Sequence, residues 1–142
     1  MNELDEPVAE ISSLRTSAEK SAPPALALLL HNYYTGVESV FVRVTKIFGG
    51  ASSDTGKWHR QLLEDMSLEL PTIRPPVITP ETREQLGTLL AFRHIVRNLY
   101  SWRLDRTRLD EIASEVPATH AAVRTDLVTF NDFLHALARP AG

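Results

Sequence analysis

Apolar residues recur at three- and four-residue spacing through most of the chain, and no run alternates apolar with polar, so the pattern predicts helices and no strands. Val8, Ile11 and Leu14 give a modest helical period to about Lys20, which Ser21-Ala22-Pro23-Pro24 ends. Pro24 then opens a second, long helix to Phe48, with Leu26, Leu29, Leu30, Tyr33, Val37, Val40, Phe41, Val44 and Phe48 on its apolar side. Gly49 to Gly56 has the composition of a loop. Lys57 to Leu70 reads as a third helix, with Trp58, Leu62, Leu63, Met66 and Leu70 on one side and Trp58 as a core anchor. Pro71, Pro75, Pro76 and Pro80 impose an extended connector that holds Arg74 near the next helix. The last helical period covers Arg106 to Ala138, where Pro117 is expected to kink or split it, and Arg139 to Gly142 is expected to fray. Four long helices and a weaker leading one predict a single domain over 1–142, an all-α up-and-down bundle of four to five helices.

The chain is organised around its fourth helix, predicted over Glu81 to Leu104. Thr79 is placed to cap it, Pro80 suits the first helical position and Glu81 the first turn. At about 100° per residue, Leu86, Leu89, Phe92, Ile95, Val96, Leu99 and Trp102 cover most of its girth, leaving a wedge of Arg93, His94, Arg97, Asn98 and Ser101. Arg93 and Arg97 stand at i and i+4, where like charges repel and an anion between them is favoured. Buried carboxylates or a bound phosphate would both suit the planar guanidinium fork. Glu38, on the second helix, is the best-placed acid to answer either arginine if the two long helices pack antiparallel; otherwise it is a solvated glutamate.

Bulk properties narrow the functional classes. With 43% hydrophobic and 23% charged residues, 142 residues suit one soluble domain. There are no cysteines, the acidic start lacks a signal-peptide pattern, and the longest apolar run, Ala25 to Leu30, is too short to span a bilayer, so a cytoplasmic protein without a membrane partner is expected. The net charge of -3 gives no global nucleic-acid footprint, although Arg93, Arg97, Arg103, Arg106 and Arg108 face only Asp105 between positions 93 and 108. The five histidines form no i, i+4 pair and no HExxH run, so neither metal nor cofactor is expected. Metal-independent RNA cleavage fits the wedge: Arg93 and Arg97 would stabilise charge on phosphorus, and His94 titrates near neutrality.

Arg93, four residues, Asn98, one residue and Tyr100 resemble the Arg-x4-His-x-Tyr signature of HepT-like proteins of the HEPN superfamily, with Asn98 where that family carries histidine. The segments LLLHNYYTGVESVF, KWHRQLLEDM, TIRPPVI and AFRHIVRNLYSWRLD are similar to a HepT-like subfamily over nearly the whole chain. The resemblance implies a helical homodimer whose motif helices face one cleft. It also implies a ribonuclease toxin of a type VII-like toxin-antitoxin pair, restrained by an MNT-type nucleotidyltransferase that adds AMP to the motif tyrosine, here Tyr100. Asn98 has no exchangeable proton for acid-base work, so it is expected to orient substrate. His94 is then expected to take over proton transfer, or the chain is a catalytically weak or inactive module that binds RNA or nucleotide, or that serves a nucleotidyltransferase as substrate or binding subunit. Whether it is an enzyme turns on that substitution.

Overall fold

The computed structural model describes residues 2–15, 22–49, 57–98 and 106–139, and within them the side chains of 4–13, 25–49, 57–92 and 107–139. Five helices carry the described chain: α1 (Asn2–Arg15), α2 (Ala22–Phe48), α3 (Trp58–Met66), α4 (Pro80–Asn98) and α5 (Arg106–Ala138). Among the described residues, extended pairing is limited to one bridge between Leu70 and Arg74. The fold class is therefore the all-α bundle that the helical periodicity predicts. Its most connected rod is α2, which packs against all four other helices, whereas α4 packs against α2, α3 and α5. The apolar stripe of α2 explains this, because Leu26, Leu30, Tyr33, Tyr34, Val37, Phe41 and Val44 are all buried.

Several boundaries differ from the sequence expectation for identifiable reasons. Helix α1 begins well before Val8 and carries Pro7 inside it. Leu4 and Ile11 are buried, and Gly36 of α2 leaves room for Leu4, whose Cδ2 lies 2.7 Å from where a Cβ at Gly36 would stand. The expected extension of this helix to Lys20 lies outside the described residues. Helix α3 stops at Met66 and not at Leu70, because the following segment folds back onto its end. The Val77 and Ile78 N–H groups donate to the Met66 carbonyl, and buried Arg74 donates to the carbonyls of Asp65 and Leu68. Arg74 is thus placed against α3 by the proline-rich connector, with Thr72 in the left-handed region at φ 65°. Burial lowers the Arg74 pKa, opposed by the charge of Asp65.

Pro117 neither splits nor ends α5, which runs unbroken for 33 residues. Ile112, Ala113 and Val116 are buried before it and Thr119, His120 and Val123 after it, while Pro117 is exposed. Continuous packing on one face outweighs the one backbone hydrogen bond that proline removes on the other. The expected stretch of the fourth helix from Leu99 to Leu104, most of the loop after Gly49 and the tail from Pro140 lie outside the described residues.

Candidate functional site

The start of α4 is as its sequence predicts. The Thr82 N–H donates to Thr79 Oγ1 at 3.2 Å, with Pro80 as the first helical residue. Thr79 is also tied to α5, its N–H donating to Asp126 Oδ2 at 3.0 Å. From this fixed end α4 turns Thr82, Leu86 and Leu89 into the core. Seven-residue spacing links Thr82 to Leu89, and position 93 follows Leu86 at the same spacing. Position 98 follows Glu84 and Ala91, two residues that border a groove, at the same seven-residue spacing. The side chains of Arg93, His94, Arg97 and Asn98, and the whole of Tyr100, lie outside the described residues.

The groove, of about 750 Å³, runs between α3, α4 and the start of α5. Arg60, Arg83 and Arg108 line it together with Glu64 and Glu84, so its walls carry both signs of charge. Arg83 donates to Ser67 Oγ at 3.1 Å, and Arg108 pairs with Glu111 at 3.4 Å. Gly87 forms part of the wall, and a Cβ there would meet nothing within 4 Å.

Glu38 is buried rather than solvated, at 5% relative exposure, and His59 is its partner. His59 Nδ1 donates to Glu38 Oε2 at 2.7 Å, because an ionised carboxylate only accepts. The imidazole stacks on the Trp58 indole with ring centroids 3.7 Å apart, so the half-buried Trp58 serves to seat His59 as well as to pad the core. This pair sits high on the bundle. Ser67 binds Arg83 and the connector returns to Met66, so α3 and α4 run antiparallel. His59 precedes Ser67 by a helical rise of about 12 Å, and the same rise along α4 from Arg83 reaches about residue 91.

A second carboxylate–histidine pair lies elsewhere. His120 Nε2 donates to Asp5 Oδ1 at 2.7 Å, which leaves Nδ1 to accept from the Tyr33 hydroxyl at 2.9 Å. Burial pushes the Tyr33 phenol pKa up, reinforced by the charge of Asp5, in keeping with its role as donor. The hydrogen bond from His120 holds the Asp5 carboxyl below its usual range, against an opposing contribution from desolvation. Sequence reading singles out neither His59 nor His120, since their partners stand 21 and 115 residues away. Among the described residues no three acid or imidazole side chains converge as metal ligands do.

Residues 25–134 match a family model described as HepT-like protein, a stretch that takes in most of α2, all of α3 and α4, and most of α5. The chain belongs to the HepT-like family, and so to the HEPN class of helical modules that the name implies. No curated protein matches the chain, and no solved structure does. No helix, among the described residues, is long and apolar enough to cross a membrane.

Proposed function

We propose that residues 1–142 form one HepT-like domain, the toxin of a cytoplasmic toxin-antitoxin pair, and that it is a metal-independent endoribonuclease acting as a homodimer. The single observation that carries the reading is the HepT-like match across the whole motif helix. The fold accords with it, an all-α bundle in which one helix, α4 from Pro80 to Asn98, carries Arg93, Arg97 and Asn98. Arg93 is the main phosphate ligand, Arg97 and His94 assist, and Asn98 orients the ribose or phosphate through its amide. A dimer with both motif helices on one cleft would double those cations and deepen the field that attracts RNA.

The deciding experiment is RNA cleavage in excess chelator by the wild type and by Arg93→Ala. Cleavage by the wild type, reduced at least about 100-fold in the variant, is expected, the scale of losing a group that stabilises charge in the transition state. Equal and negligible activity in both removes the nuclease.

One residue favours a second reading. Asn98 stands where the family's histidine is expected, and an amide moves no proton. The chain would then be a module that binds RNA or nucleotide and presents Tyr100 to an MNT-type nucleotidyltransferase as AMP acceptor. AMP transfer to Tyr100 in a protein that cuts nothing would establish that reading over the first.

A further inference from the structure

We infer that the groove between α3, α4 and the start of α5 is the face on which two copies of this chain meet about a two-fold axis. The inference rests on the homodimer in the reading above and adds the surface that forms it. Its first support is uncompensated charge. Among the described residues Arg60, Glu64 and Glu84 form no hydrogen bond or ion pair, although all three line one groove. Arg83, half-buried in the same wall, has a neutral partner in the Ser67 hydroxyl at 3.1 Å, so its charge is unanswered as well. Arg108 stands outside this set because Glu111 pairs with it. Two cations and two anions therefore share one face without neutralising each other.

That pattern selects the occupant. A partner of a single sign would be repelled by half of the set. A two-fold copy brings an anion to each cation and a cation to each anion, because in such an interface residue i meets j and j meets i. The rest of the face suits a helical partner. Leu68, 54% exposed and part of the groove wall, is apolar surface that a copy would cover. Gly87 and Ala91, one turn apart on α4, keep that wall low. A Cβ at Gly87 would meet nothing within 4 Å, so a second helix has room to approach the α4 backbone.

The test uses the full chain. Sedimentation equilibrium gives the dimer dissociation constant for wild type, for an acidic-face variant carrying Arg60→Glu and Arg83→Gln, and for a basic-face variant carrying Glu64→Arg and Glu84→Arg. Each variant alone is expected to associate at least about 10-fold more weakly than wild type. An equimolar mixture of the two is expected to recover to within about threefold, since each face then meets its opposite. Thermal unfolding identifies a variant that fails to fold, and Arg60→Glu alone then carries the comparison, since Arg60 is exposed and its replacement breaks no bond. A second readout leaves the charges as they are. The chain has no cysteine, so Gly87→Cys treated with a short bis-maleimide is expected to give covalent dimers, and Ala118→Cys, exposed on α5 outside the groove, to give none. Both charge variants associating as wild type does, with equal cross-linking at the two cysteines, would overturn this face and leave the homodimer standing on another. A wild type that sediments as a monomer would remove both.

Discussion

The two carboxylate–histidine pairs share a donor–acceptor distance and differ in almost everything else. In the Asp5–His120 pair the acid is 42% exposed at its side chain and the ring 10%, whereas in the Glu38–His59 pair it is the acid that is hidden, at 7% against 17% for the ring. His120 commits both nitrogens to protein groups, Tyr33 on α2 and Asp5 on α1, and so joins three helices. That bond closes 115 residues of chain, pinning the first helix to the last. His59 binds an acid on the neighbouring helix, 21 residues earlier in the chain. The same two groups can therefore clasp distant parts of the chain or join neighbouring helices, and which member of the pair is hidden differs with what surrounds it.

That contrast can be broken most sharply at His120. His120→Ala is expected to lower stability by about 2–4 kcal/mol, since it opens a cavity and leaves the buried Tyr33 hydroxyl without its acceptor. Chemical denaturation measures this. A variant that folds as well as wild type would show that the His120 clasp contributes nothing to stability. Tyr33→Phe is the milder probe, expected to cost about 1–2 kcal/mol by leaving His120 Nδ1 buried and unpaired. A change within error in its denaturation midpoint would mean that the hydroxyl contributes nothing to the clasp.

Acid sharpens the comparison least but tests its sign. The folded-state pKa of Asp5 is lowered below 3.8, so the stability it lends is complete above that unfolded value and is lost as pH falls through the folded one. The stability difference between wild type and Asp5→Asn should therefore hold steady near pH 5 and shrink as the pH is taken below about 4. A difference that stays constant down to about pH 2 would show that the carboxylate is not what the ring is holding.

Helix positions were legible because the three- and four-residue period survives in α2, α4 and α5, and because Thr79-Pro80-Glu81 spells a helix start in three adjacent residues. Boundaries set by tertiary contact were not. The end of α3 depends on Arg74 and on backbone groups at Val77 and Ile78 reaching back to Asp65, Met66 and Leu68. The continuity of α5 through Pro117 depends on which face of the helix meets the core. Of the candidate site, the motif was visible because it is a spacing within one helix, and Glu38 because it interrupts an apolar stripe. His59 was not visible, because its meaning lies in a partner 21 residues earlier, on another helix.

Thr79 ties the first turn of α4 to Asp126 of α5 while capping its own helix. Position 93 lies about 21 Å further along the same rigid rod. A helix clamped at one end has little freedom to roll about its long axis, so a threonine in its first turn limits the rotation of every position further along the rod. Loosening that anchor would let the far end of α4 turn within the bundle without altering a single one of its residues.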